Sequence, residues 1–394
     1  MGVEMKIGFF MPALGMVGVE SAFENLLAGI YSLKGVDVVV FRQRPVQEQV
    51  QINFFKEHPY IETINYYPLA DWFESLQDKC RYFPLKQIRK IIFSIYKKYR
   101  NFYMANVISR MGIDIAIDYV GGDSLKLVKV LHNIPTMVVI HGAIRSYPVE
   151  RMNKLGLYDK ILVLSKSAVA DINKRYPQYK DKIIQCYNAA DLEFFSKAVK
   201  KRDTKKLGKY FVSVSRLAKD KDIDTLILAF DNFWKKNNKP KCNLVIIGDG
   251  QDKERLQNLS KNLESVKNII FLGKISKPYD YMQDALAHVL SSYLEALPTT
   301  IIESAAVGTL NIASDCPDGP KEMLLNGQGG ILYQPGNADE LSDIMSNVWN
   351  KAVNTKQLIS NMTNSLDRFS PETVSKRFIN LTINTIRDIK DIRS

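Results

Sequence analysis

Apolar runs rich in β-branched residues alternate along this chain with stretches whose apolar positions recur every three or four residues, and the alternation occurs twice. The first series of runs covers residues 6–11, 36–41, 113–119, 136–141, 160–164 and 182–186. A polar, basic stretch at residues 197–209 interrupts it, and a second series follows at 210–214, 244–247, 269–272, 287–290 and 310–313. Strand-like runs separated by helical spacing predict parallel sheets covered on both faces. Two such series predict an α/β protein of two doubly wound, Rossmann-like domains facing across a cleft. The divisions fall at 1–197 and 205–370, with a helical tail at 371–394.

Composition agrees with that division. A chain of 394 residues is too long for one ordinary core, and 46% hydrophobic residues supplies two. The four cysteines, Cys80, Cys186, Cys242 and Cys316, have no paired spacing, so neither a disulfide framework nor a zinc site is expected and a reducing compartment is the default. No leader pattern precedes the first strand, and no apolar run approaches the roughly 18 residues that span a bilayer. The expected location is the cytoplasm.

The formal net charge of +12 is concentrated in places. Residues 85–100 set Leu85, Ile88, Ile92, Ile95 and Tyr99 on one stripe, with Lys86, Arg89, Lys90, Lys97, Lys98 and Arg100 mostly elsewhere. Such a basic amphipathic helix can lie on an anionic leaflet, each basic residue contributing on the order of 1 kcal/mol. A helix packed on the core with a solvated charged face gives the same pattern. Binding vesicles in proportion to their anionic lipid separates the two.

The richest stretch for chemistry runs from Tyr293 to Glu303. The strand at 287–290 leads into a short polar elbow carrying Glu295, and Pro298 is placed to open a helix with Glu303 in its second turn. The amides of Thr299 and Thr300 then sit at the positive end of a helix, where a phosphate binds, and the two carboxylates can accept from sugar hydroxyls. Together they suggest a sugar nucleotide.

This Glu295 to Glu303 element resembles the signature of retaining glycosyltransferases of the GT-B fold, in the large group called family 4. Further pieces resemble that family in its order along the chain: Gly18-Val19-Glu20; the strand-end His141; the turn from Cys186 through Asn188 to Asp191; Ser215-Arg216-Leu217 followed by Lys221; and the Gly248-Asp249-Gly250 turn. Val17, Ser215, Asp222 and Ala296 stand where the family usually has glycine, and Gly15 with Gly18 would then supply the first loop.

The resemblance implies that Arg216 and Lys221 neutralise a diphosphate leaving group, the first as a fork and the second as a point charge. It implies that Glu303 holds the ribose, that Glu295 reaches the transferred sugar, and that His141 stands beside the reacting carbon. It also makes the first domain the acceptor side and the terminal helix a closing element that returns to it. The donor site is thus Gly15, Gly18, Arg216, Lys221, Glu295, Pro298, Thr299, Thr300 and Glu303, with no cofactor and no metal.

Catalysis would come from positioning and from charge stabilisation on the departing diphosphate. No carboxylate nucleophile is identified, so a same-face front-side attack is preferred, with double displacement left open. Residues 314–322, read alone, are a proline- and glycine-rich turn before a helix. They resemble members that move hexoses or N-acetylhexosamines from UDP onto lipopolysaccharide, capsule or lipid-linked oligosaccharide. That favours UDP over GDP or ADP and puts the protein on the inner face of the plasma membrane, with no nucleic-acid partner. A UDP-sugar epimerase of the same fold and a non-catalytic polyanion binder are the competing classes.

Overall fold

The computed structural model describes residues 5–11, 17–42, 62–65, 91, 94–95, 99, 102–121, 131, 133–199 and 204–393. The first sheet is built from β1 (Met5–Met11), β2 (Val36–Arg42), β3 (Glu62–Asn65), β4 (Ile115–Asp118), β5 (Thr136–Ile140), β6 (Lys160–Val163) and β7 (Ile183–Gln185) in the order β3-β2-β1-β4-β5-β6-β7. The second holds β8 (Lys209–Val214), β9 (Cys242–Ile247), β10 (Ile269–Gly273), β11 (Ala287–Leu290), β12 (Asn311–Ser314) and β13 (Ile331–Tyr333) in the order β10-β9-β8-β11-β12-β13. Every recorded pairing is parallel, as between Gly8 and Val39 or Val289 and Ile312. In each sheet the order reverses beside its first strand, and open α/β sheets bind ligands outside the carboxyl ends of the strands at such a switch point.

All five residues of β5 and all four of β11 are buried, which is why these strands read as mostly apolar runs without strict alternation. The expected strands are present within a residue or two of their predicted ends, and two more exist, β3 and β13. Both lie at sheet edges, where a strand is short and has a neighbour on one side only.

Six helices position the site: α1 (Val17–Tyr31), α2 (Lys166–Arg175), α3 (Ile223–Lys236), α4 (Thr299–Ala306), α5 (Pro320–Met323) and α6 (Pro371–Arg393). Helix α6 follows the second sheet in sequence yet lies against the first. A Cβ on Gly29 would stand 2.2 Å from both Pro371 O and Ser375 Oγ, so glycine lets α1 and α6 touch backbone to backbone. Ser375 donates to Leu26 O at 3.0 Å, Arg377 to Gln185 O at 3.1 and 3.0 Å, and Arg393 to Asp159 at 3.0 Å. One buried apolar cluster joins Phe9, Leu26 and Phe378 to Leu297, Ile301 and Met323, so the core is continuous between the two sheets.

Candidate functional site

At the carboxyl ends of the second sheet, two loops interlock. Ser215, Arg216 and Leu217 follow β8, and Gly248, Asp249 and Gly250 follow β9. A Cβ at Gly248 would fall 1.8 Å from Ser215 O, and one at Gly250 2.3 Å from Leu217 O. Glycine at both positions is therefore a requirement of backbone approach.

The loop after β11 is then stitched to the loop after β8. Ser291 Oγ donates to Lys221 O at 2.8 Å, and Tyr293 N–H donates to Asp220 O at 2.9 Å. These bonds deliver Lys221 Nζ to Glu295 Oε1 at 2.6 Å, with Ser292 Oγ donating to the same oxygen at 2.6 Å. Both charged side chains are mostly buried. A pair this enclosed is held by hydrogen bonds as much as by Coulomb attraction, since removing both charges from water is costly. Arg216 differs: its side chain is 71% exposed and pairs with Asp220 at 3.2 Å.

Asp222 occupies a left-handed conformation, φ 44° and ψ 48°, and its carboxylate accepts from Thr225 N–H as the cap of α3. Left-handed backbone explains why glycine suits this position in the family. Aspartate tolerates it better than most residues and adds a cap.

Helix α4 begins at Thr299, with Pro298 as the residue before it (φ −68°, ψ 102°), so the proline stands one position earlier than predicted. Pro298 O takes the Ile301 N–H at 3.1 Å, and the amides of Thr299 and Thr300 lie at the positive end of the helix. The helix is fixed from below by a buried polar set in which Ser304 Oγ donates to Asn311 Oδ1 at 2.6 Å and His288 Nδ1 lies 2.9 Å from the same oxygen. Since Asn311 Oδ1 can only accept, His288 carries its proton on Nδ1. One residue earlier on α4 is Glu303, whose carboxyl burial pushes up to about 7, the Thr299 hydrogen bond opposing.

In the first sheet, His141 follows β5 directly. Its ring packs on Tyr119 with centroids 4.7 Å apart, and neither ring nitrogen has a hydrogen bond of good geometry. Burial lowers its pKa to about 4, only partly opposed by the Tyr119 main chain, so the imidazole is neutral at pH 7. Gly18 lies in the first turn of α1 with open space around its Cα, whereas Gly15 falls outside the described residues.

Of the expected membrane face, Lys86, Arg89, Lys90, Lys97, Lys98 and Arg100 also lie outside, as do Leu85, Ile88 and Ile92. Ile91, Ile95, Tyr99, Phe102 and Tyr103 are each more than half exposed and recur at helical spacing. The exposed stripe thus includes Ile91, Phe102 and Tyr103, which the sequence pattern did not single out. Among the described residues no helix is long and apolar enough to cross a membrane, and no group of three or more His, Cys, Asp or Glu is arranged to hold a metal. Cys186, Cys242 and Cys316 are free and buried.

The sequence missed Ser292, the second donor to Glu295, because a serine in a polar elbow carries no signal of its own.

Comparison with known proteins places this geometry. Residues 193–364 match the family described as Glycosyl transferases group 1. An uncharacterized glycosyltransferase of Methanocaldococcus jannaschii is 30% identical over 226 residues, 49% of this chain and 55% of that one. The N-acetylgalactosamine-N,N'-diacetylbacillosaminyl-diphospho-undecaprenol 4-alpha-N-acetylgalactosaminyltransferase of Campylobacter jejuni is 29% identical over 183 residues, 46% of this chain and 48% of that one. The chain thus spans about half the length of these curated relatives. The crystal structure of Anabaena HepE in complex with UDP superimposes with a TM-score of 0.73 at 16% identity, covering 96% of this chain and 100% of that one. With both sheets so arranged, the chain has the GT-B fold, and its residues 193–364 match the glycosyl transferases group 1 family.

Proposed function

We propose that the chain is a retaining glycosyltransferase that moves a hexose or N-acetylhexosamine from a UDP-sugar onto a membrane-linked glycan, without a metal. The observation that carries the reading is the Lys221–Glu295 pair at 2.6 Å beside the start of α4. In the free protein these two groups satisfy each other. An arriving donor offers each a better-matched partner: its diphosphate draws on Lys221, and a sugar hydroxyl donates to the freed carboxylate. Arg216, exposed on its loop, closes on the other diphosphate oxygens, and the Thr299 and Thr300 amides take the remaining negative charge. Glu303 accepts from the ribose.

As the bond from the anomeric carbon to the diphosphate oxygen breaks, its electrons go to that oxygen, where Lys221, Arg216 and the helix end stabilise them. His141, neutral at pH 7, faces the sugar and can polarise a hydroxyl without adding charge. The acceptor hydroxyl attacks from the face the diphosphate leaves, and its proton passes to the departing oxygen. The Anabaena structure with UDP and the Campylobacter enzyme on a diphospho-undecaprenol acceptor support the donor and acceptor classes. The exposed stripe of Ile91, Ile95, Tyr99, Phe102 and Tyr103 supports a membrane surface for the acceptor side, reached from the cytoplasm.

Isothermal titration with UDP, GDP and ADP in the presence of chelator tests the donor site. Selective UDP binding is expected, and equal or absent binding of all three overturns it. The anomeric configuration of the product, read by NMR, tests retention. Pelleting with vesicles that do and do not contain anionic lipid tests the surface, and binding that ignores lipid charge rejects it.

A further inference from the structure

The turn at residues 314–322 has partners on both sides of the cleft. Towards the donor site, Ser314 Oγ donates to Ser292 O at 2.5 Å. A Cβ on Gly319 would lie 2.4 Å from Ala296 O, so the turn rests directly on the Glu295 loop. Asp318 and Gly319 both take positive φ, 68° and 49°, so the chain bends sharply at this point.

Towards the first sheet, the Asp318 carboxylate lies against the Ile144 main chain, three residues beyond His141, with one carboxylate oxygen lacking a hydrogen-bond partner of good geometry. Asp318 is only 7% exposed. Glu322 Oε2 accepts from Lys166 N–H at 2.7 Å, at the first residue of α2, and its other oxygen accepts from the Tyr187 hydroxyl. Arg368 stacks over the Tyr187 ring with 5.9 Å to the centroid and donates to Met323 O at 2.7 Å, backing the contact from behind. One carboxylate of the second sheet, Glu322, thus holds a main-chain amide of the first, and a second, Asp318, lies against the main chain at Ile144. Glu322 meets its amide at the positive end of a helix, where an anion is favoured.

We propose that Asp318 and Glu322 are positioning residues: a two-point clamp that holds the cleft closed and sets the His141 loop against the Glu295 loop. His141 has no hydrogen bond of good geometry to fix its ring, only a weak approach to the Tyr119 main chain, so its place depends mainly on the loop that carries it. That loop is tight, since a Cβ on Gly142 would come within 2.9 Å of the Tyr147 ring, and the Asp318 carboxylate lies against its far end. Through Gly319 and Ala296 the same turn bears on the loop holding Glu295. Misplacing a reacting group by an ångström costs on the order of 100-fold in rate, whereas nucleotide held by one sheet alone is indifferent to the other.

The kinetic arm of the test rests on the transferase reading, and the structural arm does not. Glu322→Gln and Asp318→Asn keep the side-chain volume, and asparagine also tolerates the left-handed bend. Each is expected to leave UDP affinity by calorimetry within about twofold of wild type and to lower kcat with a UDP-sugar about tenfold. Each should also raise the radius of gyration of the UDP-bound protein in small-angle scattering. Adding Tyr187→Phe to Glu322→Gln should cost little more than Glu322→Gln alone, because the two share one contact. Thermal unfolding monitors folding of each variant. Wild-type compactness in both carboxylate variants overturns the clamp, as does a loss of UDP affinity as large as the loss of kcat, which would make the turn part of the donor pocket. If the wild type transfers no UDP-sugar, the transferase reading fails while scattering still decides the clamp: expansion supports it and unchanged size rejects it.

Discussion

The two sheets share a strand order and differ in what they bring to the cleft. At the second, charge is already answered by charge: Lys221 with Glu295, Arg216 with Asp220, Ser292 supporting the carboxylate. At the first, the end of β5 presents His141, neutral and with neither ring nitrogen in a hydrogen bond of good geometry. On one side charge is paired before any ligand arrives, so binding at the proposed donor site would exchange partners instead of burying bare charge. The other has no charge to exchange and gains hydrogen bonds only when something fills the cleft. The lesson is that a duplicated architecture can divide labour by how far each copy satisfies its own polar groups.

The largest effect should come from breaking the answered side. Lys221→Met removes the point charge for the diphosphate and leaves Glu295 enclosed without its partner. We expect kcat/KM to fall by about 1000-fold, in the range seen when one preorganised stabilising group is lost. Thermal unfolding should also move down, because a buried carboxylate has lost its counter-ion. Steady-state kinetics and calorimetry check both. A variant within tenfold of wild type would mean that Arg216 and the helix end carry the leaving group alone.

On the unanswered side, His141→Ala should lower kcat by about 100-fold, the usual reach of one positioned proton-transfer or polarising group. UDP affinity should be unchanged, because the proposed donor site lies on the second sheet. With its pKa lowered to about 4, His141 should also contribute no titration to kcat between pH 6 and 8. An ordinary imidazole titration in that window, absent from the variant, would mean that His141 is solvated and charged when it works.

How much of this was legible in the sequence follows from the same contrast. Strands buried on both faces announce themselves as apolar runs, so β1, β5 and β11 were readable almost to the residue. Edge strand β3 offers only Glu62-Thr63-Ile64-Asn65, with a single apolar residue and one neighbour, and left no signal. Lys221 and Glu295 were each singled out, but not as partners: they are 74 positions apart, and their pairing depends on the Ser291 and Tyr293 stitches between two loops. Residues 314–322 stood out as a turn, yet what Asp318 and Glu322 grip lies at Ile144, Lys166 and Tyr187, through contacts no local pattern encodes.

Glu303 sharpens the comparison by pH. Its carboxyl is pushed up to about 7 by burial, so it is largely protonated at pH 6 and largely ionised at pH 8. An ionised carboxylate accepts from two ribose hydroxyls where a protonated one accepts less, so affinity for a UDP-sugar should rise several-fold across that range. A UDP-sugar is the right probe, because its diphosphate has no group titrating there. Folding runs the other way: a pKa raised above the unfolded value favours the native state fully below about 4.5, and that contribution is lost as pH rises through 7. Glu303→Gln should flatten both trends and weaken binding by about tenfold, roughly what losing one charged hydrogen bond costs. If affinity is flat in the wild type, the ribose lies elsewhere.

The smallest effect belongs to Asp222→Gly, which restores the residue the family usually carries. Glycine relieves a left-handed conformation that costs a non-glycine residue roughly 1 kcal/mol, and less for aspartate. It also removes the cap on Thr225 N–H, worth about 1 kcal/mol. The two nearly cancel, so stability by thermal unfolding should stay within about 1 kcal/mol of wild type, the balance of those two terms. The Tyr293 hydroxyl also lies beside the Asp222 carboxylate, so its loss should loosen the residue two before Glu295. A small rise in KM for the donor at constant stability would therefore show that the answered side of the cleft depends on this aspartate for order. A large drop in stability would instead make the cap, and not the site, the reason aspartate stands there.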